Sequence, residues 1–178
     1  MKQIPKGNIY LTGFMGCGKT LVGRLLAERL NRHFFDTDET IVEEMGMSIP
    51  EIFKAQGEPT FRQMEKMCIQ KVTKRTGYVV SLGGGAILDP ENWERISQSG
   101  ITVALLYPSD IIARRLAKKT DRPLLDNLPS DQRIHKIRTL MARREPFYKK
   151  ADIVLSVQKE VPAQHIVNDL IGYLGERG

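Results

Sequence analysis

Short apolar runs alternate along the chain with longer stretches in which apolar residues recur every three or four positions, and this alternation sets the fold class. The runs fall at residues 8–12, 34–35, 78–82, 101–106 and 153–155, most of them edged by glycine or aspartate. Helical spacing occupies 21–30, 41–76, the stretch after Asp89, the stretch after Ser109, 130–149 and 162–174. Strands that alternate with helices predict a five-stranded parallel sheet flanked by helices in three α/β/α layers, within one domain spanning 1–178.

Local signals sharpen several boundaries. Ser48-Ile49-Pro50-Glu51 has the form of a capping box, so a helix should start there and run to about Gln56. Gly57 interrupts the pattern and a further helix should begin near Glu58-Pro59, with Met64, Met67, Cys68 and Val72 at core spacing. Asp89-Pro90 reads as an N-cap followed by proline at the first helical position. Pro146 should kink or end the helix over 130–149. Two segments stand apart: a helical insertion at about 37–76 between two strands, and a polar loop at about 117–130 that breaks periodicity.

Chemistry enters at Gly13-Phe14-Met15-Gly16-Cys17-Gly18-Lys19-Thr20, which satisfies the phosphate-binding loop pattern. A strand before it and a helix after it are what the motif needs, because successive N–H groups and the positive helix end then point at one phosphate. A plain glycine turn would not also specify the lysine and the hydroxyl. Asp36 and Asp38 follow the second strand and are expected to point to opposite sides and so to hold different jobs. One would organise magnesium through water and the other would meet a substrate hydroxyl, with helix capping as the simpler alternative. Gly83-Gly84-Gly85 follows the third strand, and close approach of a ligand to bare backbone accounts for three glycines better than a turn does. All three sites follow strands and should face one crevice. Arg62, just inside a helix, suits a guanidinium that clamps a carboxylate. Arg122, in the polar loop, would reach a transferring phosphoryl group if that loop closes over nucleotide.

Composition removes other classes. The chain has 178 residues, enough to bury a core without metal or disulfide help. Cys17 and Cys68 sit in unrelated settings, which argues against a disulfide framework and against zinc. Neither a signal peptide nor a run of membrane-spanning length is present, so a cytoplasmic protein without a membrane partner is expected. The net charge of +6 is local: residues 110–150 carry twelve Lys/Arg against five Asp/Glu, or +7, and the remainder fifteen against sixteen, or −1. A cationic arm beside a phosphate loop is expected to serve a polyphosphate rather than nucleic acid, and there is no aromatic RNA-binding signature.

Taken in order, these motifs resemble the shikimate kinases, of nucleoside-monophosphate-kinase-like fold, over nearly the whole chain. The resemblance rests on residues 13–20, Asp36-Thr37-Asp38, residues 46–53 with Gly57-Glu58 and Phe61-Arg62, the glycine triplet, Arg122-Pro123-Leu124-Leu125, and Arg144 with Pro146 and Tyr148. It implies an ATP- and Mg²⁺-dependent kinase that phosphorylates shikimate in aromatic amino acid biosynthesis, acting as a monomer. By this resemblance Gly16, Cys17, Gly18, Lys19, Thr20 and Leu21 hold ATP phosphates, with Arg115 and Pro162 near the adenine. Thr20 and Asp36 serve the metal; Asp38, Arg62, Gly84 and Arg144 bind shikimate; and Lys19, Asp38 and Arg122 act in catalysis. Leu21 departs from the family, whose members often have a second hydroxyl there. A gluconate-type kinase, or a nucleotide switch without an acceptor, are the competing readings.

Overall fold

The computed structural model describes residues 6–117, 125 and 129–176, the side chains of 130 and 131 excepted. Five parallel strands form one sheet in the order β2-β3-β1-β4-β5, with β1 (Asn8–Gly13) at its centre, flanked by β3 (Tyr78–Ser81) and β4 (Gly100–Leu106). β2 (His33–Asp36) and β5 (Ile153–Ser156) are the edges. β1 is buried along its whole length, as expected of a strand covered on both faces. The step from β1 to β2 runs one way across the sheet, and that from β3 to β4 runs the other. Crossovers of one hand therefore put α1 (Lys19–Arg29) and α4 (Pro90–Ser99) on opposite faces. α7 (Ala163–Gly175) packs beside α1, and α5 (Ser109–Leu116) beside α6 (Ser130–Tyr148).

α2 (Thr37–Met45) and α3 (Ile49–Val72) occupy the connection between β2 and β3 and close over a small cluster of their own, made by Ile41, Ile52, Phe61 and Cys68. Glu51 accepts the Ser48 N–H at 2.8 Å and the Ser48 hydroxyl at 2.6 Å, which fixes the start of α3 where the capping-box pattern put it. The expected break is also present: Gly57 has φ 80° and ψ 166°, a conformation outside the helix that costs glycine little. Asp89 caps α4 by accepting the N–H groups of Glu91 and Asn92. Pro146 lies in the final turn of α6, which ends two residues later. The phase of α3 differs from the expectation in one respect. Met67 is exposed, and the buried stripe is Phe61, Glu65, Cys68, Ile69 and Val72, so a glutamate that the apolar spacing passed over takes a place in it.

The first run is not purely apolar either, because Asn8 is fully buried. Its amide donates to Tyr10 Oη at 2.9 Å, to the Val72 carbonyl at 3.2 Å and to the Arg75 carbonyl at 2.8 Å, while its Oδ1 accepts the Tyr78 N–H at 2.9 Å. One side chain thus ties the start of β1 to the end of α3 and the start of β3. Asn8→Ala should strand these partners and destabilise the fold by about 1–3 kcal/mol in urea unfolding; a loss below about 0.5 kcal/mol, the level of an ordinary surface substitution, would refute the role.

Candidate active site

The loop between β1 and α1 has the shape its sequence implies. Gly16 and Gly18 adopt φ 80° and 91°, left-handed values that L side chains rarely adopt, and Gly18 caps α1. Lys19 is nearly buried, and its Nζ donates to the Gly13 carbonyl at 3.0 Å and the Phe14 carbonyl at 3.3 Å. Cys17 is buried beneath the loop, its Sγ accepting from Lys19 Nζ at 3.7 Å. Lys19, Thr20, Asp36, Asp38 and Gly84 all line one cavity of about 560 Å³ at the strand tips.

Asp36 takes the capping role that the sequence left as the simpler alternative, and it also reaches the phosphate-loop side. Its Oδ1 accepts the N–H groups of Asp38 and Glu39 at 2.9 and 3.2 Å, capping α2, and its Oδ2 accepts the Thr20 hydroxyl at 2.8 Å. The expectation that Asp36 and Asp38 point to opposite sides is corrected. Asp36 ends β2, Asp38 lies in the first turn of α2, and both carboxylates line the same cavity. Residues two apart would in any case share a face had the strand continued.

Charged side chains from three helices gather at the glycine triplet, an arrangement the sequence did not show. A methyl group on Gly83 would lie 2.3 Å from Glu65 Oε1 and 2.8 Å from Asp38 Oδ1, and one on Gly85 would lie 2.8 Å from Arg62 Nη1. Two of the three glycines therefore lie directly against the ends of the chain's own charged side chains, which a Cβ would have to displace. At Gly84 a methyl group would come within 3.7 Å of Arg144 Nη1, and the Gly84 carbonyl accepts the Tyr148 hydroxyl at 2.6 Å and Arg144 Nη1 at 3.4 Å. Thr37, fully buried, accepts the Gly83 N–H at 2.8 Å and so holds the turn in place. Arg62 and Arg144, distant in sequence, thus converge on one turn whose other edge holds Asp38.

On the other flank of the loop, Arg115 donates from Nη1 to the Gly16 carbonyl at 3.1 Å and from Nε to Glu160 at 3.1 Å, and it lies over the Tyr107 ring at 4.3 Å. It lines a cavity of about 390 Å³ with Leu21, Val161 and Ala163. Pro162 is not part of that wall; it caps α7, while the residues on either side of it face the cavity. Leu21, where family members often have a hydroxyl, is an exposed apolar edge of this cavity. Arg122 and most of the expected loop at 117–130 lie outside the described residues. Within the cationic stretch, Arg115 lines the cavity beside the loop, Arg144 reaches the Gly84 carbonyl, and Lys136, Arg138 and Arg143 are exposed on α6.

Glu65 was missed from the sequence, although a glutamate three residues after Arg62 within a buried stripe was a legible signal. It is 1% exposed and accepts from Arg62 Nη1 at 2.8 Å, and its Oε1 has no hydrogen-bond partner among the described residues. Burial pushes its carboxyl up, Arg62 and Arg144 pull it back and Asp38 pushes it further, leaving it at about 7. Because the folded value exceeds the unfolded one, the native state retains a proton that the unfolded chain has lost between pH ~4.5 and 7. This contribution to stability is present below that window and is lost as pH rises through it. Glu65→Gln should therefore flatten the stability profile, which in the native protein falls by up to about 3 kcal/mol across the window. Parallel profiles for the two proteins in urea unfolding at several pH values would refute the assignment.

Comparison with known proteins places this geometry. The shikimate kinase family model matches residues 15–174. A shikimate kinase of Geobacter metallireducens is 42% identical over 170 residues, 96% of this chain and 93% of that protein. The solved shikimate kinase from Acinetobacter baumannii in complex with shikimate superposes with a TM-score of 0.91 at 35% identity, covering 97% of this chain and 94% of that one. A gluconokinase from Sinorhizobium meliloti, with a TM-score of 0.62 and 19% identity over 98% of this chain and 94% of its own, shares the fold alone. A phosphate loop, a paired-arginine turn and a carboxylate facing both thus stand in a chain that belongs to the shikimate kinase family.

Proposed function

We propose that the chain is a monomeric cytoplasmic enzyme that transfers the γ-phosphoryl group of ATP to a hydroxyl of shikimate, giving shikimate 3-phosphate. The observation that carries this reading is the convergence of Arg62 and Arg144 on the glycine turn, beside a carboxylate, Asp38, that shares its cavity with Lys19. A compact polyhydroxylated acid needs that combination: guanidinium groups for its own charge and a carboxylate for its hydroxyls. In line with this, no helix among the described residues is long and apolar enough to cross a membrane.

In this assignment Lys19 and the backbone N–H groups of residues 16–21 hold the phosphates, and Arg115 borders the base with Leu21. Arg62, Arg144 and the Gly84 N–H hold the acceptor's carboxylate. Asp38 orients the attacking hydroxyl and is placed to take its proton. Arg122, by resemblance, serves the closing loop. Magnesium fits the donors present: the hydroxyl of Thr20 and the carboxylate of Asp36 stand together on the wall of the Lys19 cavity. With two protein oxygens, such a site would leave the rest of the ion's coordination to phosphates and water. Bound there, it would neutralise charge on the phosphate oxygens.

The reaction is tested by ADP release across a small panel of hydroxy acids that includes shikimate and gluconate; turnover with gluconate at the shikimate rate would overturn the acceptor assignment. Arg62→Ala should raise the KM for shikimate about a hundredfold and that for ATP by much less, because one half of the carboxylate clamp is removed. Since this change also strands Glu65, Arg62→Ala/Glu65→Gln should show the same kinetic split; equal effects on both substrates would count against the clamp. Asp38→Asn should keep nucleotide binding yet lose most turnover. If kcat survives within about tenfold, roughly 1.4 kcal/mol, Asp38 is not the group that meets the reacting hydroxyl.

A further inference from the structure

A third cavity, of about 620 Å³, lies beyond the tips of β4 and β5; of the residues assigned above to nucleotide, acceptor or metal, only Cys17 lines it. Its size is that of a small-ligand site. Phe14, Leu105, Ile112 and Tyr148 give it a buried apolar floor, half of it aromatic. One stripe of α6 forms a wall: Arg138, Met141, Ala142, Glu145 and Lys149, at the three- and four-residue spacing of a single helix face. Glu145 is engaged by Lys149 at 2.6 Å, whereas Arg138 is exposed and makes no ion pair among the described residues. The wall therefore offers an uncompensated guanidinium above an aromatic floor. It also accounts for part of the cationic surplus that the acceptor site does not use.

Three lining residues reach the active site through contacts already described. The Tyr148 hydroxyl donates to the Gly84 carbonyl, the Phe14 ring lies 5.7 Å from the Arg144 guanidinium, and Cys17 Sγ accepts from Lys19. A ligand that moves the floor moves the partners of Gly84, Arg144 and Lys19.

We infer that this cavity is a second ligand site, for a small planar aromatic anion whose ring lies on Phe14 and Tyr148 and whose charge meets Arg138, and that its occupancy changes acceptor affinity. The binding step is independent of the proposed reaction; the coupling rests on it.

The probe is 8-anilinonaphthalene-1-sulfonate, titrated by fluorescence against the full chain saturated with MgADP, which keeps the dye out of the nucleotide cavity. Saturable binding should persist under these conditions. Ala142→Trp, which fills the cavity, and Arg138→Glu, which reverses its charge, should each weaken binding about tenfold or more, with far-UV dichroism unchanged. Absence of binding, displacement by MgADP, or equal affinity in the variants overturns the site. If Ala142→Trp does not fold, the exposed Arg138→Glu position decides alone. Saturating shikimate should then shift the dye's Kd by about fivefold or more, and the dye should shift that of shikimate by the same factor. An unchanged Kd overturns the coupling, and shikimate's own titration separates that result from a failure of the acceptor assignment.

Discussion

Lack of space at the turn after β3 governs this active site. Gly83 and Gly85 have no free space for a side chain as their neighbours stand, because Glu65 and Asp38 press against the first and Arg62 against the second. Bare backbone at this point lets α2, α3 and α6 deliver charged groups to one place, although they come from three separate parts of the sequence. Thr37 and Tyr148 then hold the turn by hydrogen bonds from either side, to the Gly83 N–H and the Gly84 carbonyl. This cluster of charged groups is assembled by exclusion of side chains as much as by attraction of charges.

A second economy appears at Asp36. One carboxylate caps α2 and receives the Thr20 hydroxyl, so the helix that carries Asp38 is registered against the loop that carries Lys19. The phosphate side and the acceptor side therefore do not depend on flexible surface contacts for their spacing. In-line transfer is sensitive to such spacing, since misplacement of about 1 Å costs on the order of a hundredfold in rate.

Much of this was legible in the sequence, and the failures have physical causes. Strand runs, the capping box at Ser48, the break at Gly57 and the Asp89 cap are local signals, decided by residues within one turn of one another, and all reappear in the fold. The loop motif and Arg62 were singled out by spacing and residue type, and Arg144 by the resemblance alone; the fold brings both arginines to the glycine turn. Glu65 escaped because a charged residue in a helix is normally solvated, and only the tertiary placement of Arg62 makes its burial tolerable. The direction of the two aspartates was misjudged because the strand ends at the first of them. Pro162 was credited with a wall that its neighbours make. Asn8 and its partners in α3 and β3 are joined by contacts more than sixty residues apart, which no local pattern reveals.

The positive φ of Gly57 has a mechanical consequence. The backbone leaves the helical region at that residue, so the segment before the glycine and the segment bearing Arg62 and Glu65 are two rods that meet at a kink. Their angle is held by side chains: Ile52 on the first rod joins Phe61 and Cys68 on the second in one buried cluster, and the rings of Phe53 and Phe61 lie 5.1 Å apart. The placement of the paired arginine and glutamate is thereby geared to the outer end of the insertion by packing across the joint, not by a continuous helix.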